Sequence, residues 1–308
     1  MKTFIKLSLF NALLLTALLC NKNTLANVGF SIPDSVREVS FHYHSVRGLI
    51  LLPVVLNDTV HVNLILDTGC RNLVLFGKRF EKLFDFQVNR KVKFSGLGQG
   101  KPVVGSLSLS NKVSIAEVIG ERIPVVVVPN QNVFSGYHKV HGIIGYDIFI
   151  KFEVELNFAD QIITFRRAWR AVMPEQYERI PIRIVDSRPM IRSRVFFNGQ
   201  EGQACELMID TGSSLGLLLK TTDLKRYPES FPKGVLGRGI NGNIEGSEAY
   251  PDRLLMEAFE IAEPPAGIVY SQWHNYASVG MQVMRNYSIV LNYCQAYVGI
   301  KKGRVNRI

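Results

Sequence analysis

Two short stretches hold the residues of this 308-residue chain best suited to chemistry, Leu64-Ile65-Leu66-Asp67-Thr68-Gly69-Cys70 and Leu207-Met208-Ile209-Asp210-Thr211-Gly212-Ser213. Each is a run of apolar strand formers that stops at an Asp beside a Thr and a Gly, so each reads as a buried strand opening into a turn where a carboxyl leaves the core. Two such turns at comparable places in the two halves of one chain imply a duplicated unit that brings Asp67 and Asp210 together at a shared axis. Carboxyls a few ångströms apart cannot both ionise cheaply, so they share one proton and titrate as a pair. The ionised member can deprotonate a water while the protonated one donates to a carbonyl oxygen. That is general acid-base hydrolysis, and it needs no metal, cofactor or covalent intermediate.

The elements that must position these turns repeat as well. From Gly48 the chain reads as a strand, a polar turn at Asn57-Asp58-Thr59, and a second strand from Val60 to Leu66 that delivers Asp67. In the second half Met190 to Phe197, the hairpin dipeptide Asn198-Gly199 and Cys205 to Ile209 deliver Asp210 in the same way. Further on, Leu97-Gly98-Gln99-Gly100 is matched by Leu236-Gly237-Arg238-Gly239, 29 and 25 residues after the glycine of each Asp-Thr-Gly. Glycines there leave room for a peptide backbone to approach, so Gly98, Gly100, Gly237 and Gly239 are candidate substrate-binding flap residues. A third repeat, offset by 135 residues, aligns Ile143-Ile144-Gly145 with Ser278-Val279-Gly280 and Phe152 to Phe158 with Tyr287 to Tyr293. Ser278 breaks the apolar pattern.

These residues resemble the aspartic proteases of the pepsin and retroviral type, whose signature is an apolar-apolar-Asp-Thr-Gly-Ser/Thr/Ala turn in each lobe or subunit. Within that group the phrases Gly96-Leu97-Gly98, His141-Gly142-Ile143-Ile144-Gly145-Tyr146-Asp147 and Ile209-Asp210-Thr211-Gly212-Ser213-Ser214 are similar to exported bacterial retropepsin-like proteins with two fused lobes. The resemblance implies an all-β, bilobal fold with pseudo-twofold symmetry and endopeptidase activity on an extended polypeptide. It makes Asp67 and Asp210 the catalytic pair, has Thr68 and Thr211 bond across the lobe interface, and gives Gly69, Cys70, Gly212 and Ser213 supporting places in the turns. It also seats Gly145 and Gly280 beneath them. Ser213 stands where the family has a hydroxyl that steadies its carboxylate, whereas Cys70 offers only a thiol, a poor donor. Asp210 is therefore expected to be the better-stabilised anion. No tyrosine lies between Ser95 and Ser106, so the flaps are of the retroviral kind. A peptide-binding PDZ domain, common among such relatives, is not read in this chain. A catalytically silent protein that holds extended peptides in the same cleft is the alternative.

The start of the chain reads as a secretory signal peptide: Lys2 and Lys6, an apolar run from Leu7 to Cys20, and Thr24-Leu25-Ala26 with small residues at the cleavage positions. Acylation at Cys20 is disfavoured by the bulky Leu19 before it. Cleavage after Ala26 removes three lysines and no acid, lowering the formal charge from +10 to +7. The organisation expected is a leader at 1–26, a first lobe at 27–168, a second lobe at 169–303 and a basic tail at 304–308, with the connector within 166–179 carrying up to one helical turn. The expected location is periplasmic or secreted, and the expected state a monomer.

The remaining basic residues are scattered, with no aromatic-interleaved stripe, which argues against nucleic-acid binding. Cys70, Cys205 and Cys294 allow at most one internal disulfide, and no histidine motif supports Cys70 as a nucleophile. His42 and His44 share a strand face and read as a solvated pair rather than metal ligands.

Overall fold

The computed structural model describes residues 28–86, 90–129, 134, 139–272 and 276–302. The leader, with Cys20, and the basic tail lie outside the described residues. The fold is all-β, built as three sheets of nine, six and ten strands.

In the nine-stranded sheet, strand Leu49–Leu56 turns through Asn57 and Asp58, at φ 49° and 62°, into strand Val60–Leu66. The Thr59 N–H closes the turn on the Leu56 carbonyl at 3.2 Å. Left-handed φ at both central residues suits the twist of a tight hairpin, and Asn and Asp tolerate it. Strand Gly142–Ile144 lies parallel to Val60–Leu66, with Ile144 opposite Leu66, and antiparallel to strand Leu73–Phe76.

The ten-stranded sheet has the same arrangement. Strand Ala277–Val279 lies parallel to Gln203–Ile209, with Val279 opposite Ile209, and antiparallel to Leu217–Thr221. Its hairpin is looser than the Asn-Gly dipeptide suggests. Asn198 and Gly199 do adopt φ 50° and 67°, and Gln200 N–H bonds the Phe197 carbonyl at 2.9 Å. The ladder nevertheless ends at Val195 opposite Gln203, because Asp252 draws the Gly199 N–H outward, at 2.8 Å. Leu64, Leu66, Leu207 and Ile209 are completely buried. Burying each stabilises by about 1.5–3 kcal/mol relative to exposure, so both Asp-bearing turns hang from well-anchored strands.

The six-stranded sheet is drawn from both halves, in the order Glu178–Pro181, Tyr297–Lys302, Tyr287–Asn292, Phe152–Asn157, Ile162–Arg167, Glu38–His42. At its centre Val154 faces Leu291, Glu155 faces Val290 and Leu156 faces Ile289. The 135-residue offset maps 154 to 289 and 156 to 291. Val154 therefore pairs with the counterpart of Leu156, Leu156 with that of Val154, and Glu155 with its own, as a twofold axis passing between Glu155 and Val290 requires. Buried Glu153 ties this seam together, accepting from Arg166 Nη1 at 3.4 Å, from Asn292 Nδ2 at 3.3 Å and from the Tyr297 hydroxyl. The stretch between Arg167 and Glu178 contains turns and no helical turn, since Pro174 lacks the N–H a helix there would need.

Candidate active site

Asp67 and Asp210 follow directly on their buried strands, and each N–H is fixed by the neighbouring parallel strand. Asp67 N–H bonds the Ile144 carbonyl at 2.8 Å, and Asp210 N–H the Val279 carbonyl at 2.9 Å. Each carboxylate accepts the N–H two residues on: Gly69 at 2.7 Å for Asp67, Gly212 at 3.2 Å for Asp210. The two threonines beside them are completely buried and bond reciprocally. Thr68 Oγ1 donates to the Ile209 carbonyl at 2.6 Å and accepts from Thr211 N–H at 3.0 Å. Thr211 Oγ1 donates to the Leu66 carbonyl at 2.8 Å and accepts from Thr68 N–H at 3.0 Å.

The glycine of one turn faces the carboxyl of the other. A side-chain carbon at Gly212 would collide with the Asp67 carboxyl, and one at Gly69 would lie 3.9 Å from Asp210 Oδ1. Gly145 and Gly280 close the turns from beneath. A Cβ on Gly145 would strike the Asp67 carbonyl, and one on Gly280 the Ser213 and Leu215 carbonyls. The helical turns that follow begin there, with Tyr146 and Met281 N–H bonding the Cys70 and Ser213 carbonyls at 2.9 and 2.8 Å.

Both carboxyls are half-buried on the floor of a cavity of about 650 Å³. Burial, and then the negative charge of Asp210, push Asp67 up to about 7 against the pull of the Gly69 N–H and Arg188. Asp210 is also raised by burial, but is opposed first by the Lys220 ammonium, then by the Gly212 N–H, Arg188 and the Ser213 N–H. Asp67 therefore holds the shared proton more readily than Asp210, which has the Lys220 ammonium beside it. Lys220 is buried, donates to Ser278 Oγ at 3.3 Å and lies 4.2 Å from the Tyr276 ring centre. Desolvation lowers it to about 8, so it is still a cation at neutral pH.

The sequence traced an asymmetry of the pair to Ser213 and Cys70, whereas in the structure the group that sets the two carboxyls apart is Lys220, beside Asp210. Ser213 Oγ is occupied by the Leu215 N–H at 3.3 Å, and Ser213 reaches Asp210 through its backbone. Cys70 is buried and donates to the Asn72 carbonyl at 2.7 Å. Burial, and then the Asp67 charge, hold its thiol well above the usual range, the opposite of an activated nucleophile. Cys70, Cys205 and Cys294 are all unpaired.

The roof consists of two hairpins whose tips bond to each other. The segment between strands Lys91–Phe94 and Val103–Ile115 carries Gly98 and Gly100, while Gly237 and Gly239 lie within strand Lys233–Gly239 and lead to a tip at Ile240-Asn241. Asn241, not anticipated in the sequence, binds the facing tip. Its Nδ2 donates to the carbonyls of Gly98 at 2.7 Å, Gly100 at 3.1 Å and Gly96 at 3.4 Å, and its Oδ1 accepts from Gly98 N–H at 2.8 Å. Gly100 N–H adds a bond to the Asn241 carbonyl at 2.7 Å, an approach so close that a Cβ on Gly100 would overlap that oxygen. The local signal was the dipeptide Asn241-Gly242, a hairpin-tip pair. The Asn241→Ala variant removes these contacts, of which the two shortest, at 2.7 and 2.8 Å, are the best formed. At about 0.5–1.5 kcal/mol net for each of those two, native-state hydrogen exchange at Gly98 should accelerate about 10- to 100-fold while exchange in strand Val60–Leu66 is unchanged.

Two carboxyls in facing Asp-Thr-Gly turns under a pair of joined hairpins form an arrangement suited to acid-base chemistry on a water. Residues 52–148 match the model of the aspartyl protease family, which supports a hydrolase of the aspartic-protease type. The matched segment contains Asp67, the first flap and Gly145, and stops before Asp210. No curated protein matches the chain.

Proposed function

We propose that the chain is an exported, monomeric aspartic endopeptidase whose two duplicated lobes each supply one catalytic carboxyl. The observation that carries this reading is the reciprocal Thr68–Thr211 bonding, which holds Asp67 and Asp210 face to face under a two-flap roof. Asp210, the ionised member, takes a proton from a water, and that water attacks the peptide carbonyl carbon. Asp67 donates its proton to the carbonyl oxygen, giving a neutral tetrahedral diol. Collapse of the diol breaks the C–N bond, with the proton gained by Asp210 passing to the leaving amine and Asp67 recovering its own from the diol. The extended substrate lies beneath the flaps, in the cleft lined by Ser95, Gly96, Gly239 and Ile240.

The test is digestion of a diverse peptide library from pH 3 to 8 by the chain lacking residues 1–26, read by mass spectrometry. Internal cleavage that vanishes in both Asp67→Asn and Asp210→Asn supports the endopeptidase. Peptides captured intact by the parent and both variants would favour the silent peptide-binding alternative.

A further inference from the structure

The cleft is not symmetric, and its asymmetry lies in charge. Superposing the pairings of the nine- and ten-stranded sheets matches wall positions one to one. Leu49 follows the turn from strand His44–Val46 and faces Val46, whereas Arg188 follows the equivalent turn and faces Val185. Ile143 faces Val74 on one side, and Ser278 faces Leu218 on the other. Two residues beyond Val74 stands Phe76, and two beyond Leu218 stands Lys220.

On one side, then, Leu49, Ile143, Phe94 and Phe134 line the cavity, and Phe76 packs in the apolar cluster behind them. On the other, the matching places hold Arg188, Ser278 and Lys220, with Arg238 also lining the cavity. A buried lysine in place of a phenylalanine carries a desolvation cost that packing alone does not repay. Its ammonium donates to Ser278, lies over the Tyr276 ring and feels the charge of Asp210. Arg188 uses one guanidinium nitrogen on Asp186 at 2.5 Å, a carboxylate whose side chain is 65% exposed and therefore well screened. The remaining guanidinium donors are available to a second acceptor. Leu215 and Leu218 line the same region, suiting the methylene stem of a long acidic side chain.

We propose that this half of the cleft is an acid-selective subsite: the chain acts on polypeptides carrying a glutamate or aspartate on one side of the scissile bond, held by Lys220 and Arg188, and a bulky apolar residue on the other. The proposal rests on the peptide-hydrolase reading of the cleft, so its test uses binding and does not need turnover. Asp67→Asn blocks proton donation while keeping position 67 neutral, as the proton on Asp67 does below about pH 7. On that variant, fluorescence anisotropy measures labelled peptides in which each position flanking the scissile bond carries Glu or, in its pair, Gln.

At one position Glu should bind about tenfold or more tightly than Gln, and the ratio should shrink with added salt. It should fall to near one in Asp67→Asn/Lys220→Met and persist in Asp67→Asn/Lys220→Arg, which keeps the charge in the buried site. Equal binding of Glu and Gln peptides at every position overturns the proposal, as does a preference that survives Lys220→Met. A Glu preference without hydrolysis by the parent leaves the subsite standing and removes the protease reading. Hydrolysis without a Glu preference does the reverse.

Discussion

Asp67→Asn and Asp210→Asn should each lower peptide hydrolysis by at least about 10³-fold, within the range positioned acid-base groups contribute, and Asp67→Asn should not lose stability at pH 8. The second half of that expectation separates chemistry from folding. In the folded chain Asp67 sits at about 7, against 3.8 for an ordinary Asp, because burial and the Asp210 charge disfavour its anion. A carboxyl raised on folding binds more protons in the native state than in the unfolded one. Its contribution to stability is full below about pH 4 and is lost as pH rises to about 7. Above that window the native chain carries two buried carboxylates that repel. Asp67→Asn relieves the repulsion and leaves no cation behind, so its melting temperature at pH 8 should equal or exceed that of the parent, whereas Asp210→Asn also strips the buried Lys220 ammonium of its carboxylate. An Asp67→Asn chain that loses both activity and stability at pH 8 would mean that this carboxyl holds the turn together instead of doing the chemistry.

The pH profile follows from the same groups. The active form carries one proton, on Asp67, and one charge, on Asp210. Activity should therefore fall about tenfold per pH unit above about 7, where the shared proton is lost, and fall again in acid as Asp210 protonates. Lys220 is the cation that most favours the Asp210 anion. Lys220→Met should move both limbs to higher pH, since removing a neighbouring cation raises a carboxyl.

The floor of the cleft was legible in the sequence because its determinants are local. An apolar strand, an Asp, a Thr and a Gly specify a buried strand and the turn that ends it, whatever packs around them. Gly145 and Gly280 were legible through their spacing and the apolar runs beside them. The seam between Phe152–Asn157 and Tyr287–Asn292 was not, because the pairing joins strands 135 residues apart and either alternation would equally suit an ordinary hairpin. Asn241 escaped for a related reason. Its partners are backbone groups of residues about 140 positions away, and a single polar residue between Ile240 and Gly242 carries no trace of them. Ser278 was a visible anomaly whose meaning lay elsewhere. A hydroxyl in an apolar run is costly unless something bonds it, and that something is Lys220, an unremarkable lysine until the fold buries it beside Asp210.

Thr68→Val is the other substitution expected to have a large effect, and here the loss is of stability. Valine matches threonine in shape, so the change deletes bonds without opening a cavity. It orphans the Ile209 carbonyl and the Thr211 N–H, both served by Thr68 Oγ1 in the wholly buried contact between the turns. Each buried orphan costs about 1–3 kcal/mol, or about 2–6 kcal/mol together. At about 2–4 °C per kcal/mol for a chain of this size, the melting temperature should drop by about 4–24 °C. Thr68→Ser keeps the hydroxyl and loses only a methyl, so it should cost about 1 kcal/mol. If the serine and valine variants melt together, the hydroxyl is not what joins the turns. Thr211→Val should behave like Thr68→Val, since its own orphans are Leu66 and Thr68. None of the four bonds is shared between the two side chains as donor and acceptor, so the double variant should lose about the sum. Those bonds also oppose the repulsion between Asp67 and Asp210. Valine at either position should therefore cost more stability at pH 8, with both carboxyls charged, than at pH 5, where the shared proton removes that repulsion.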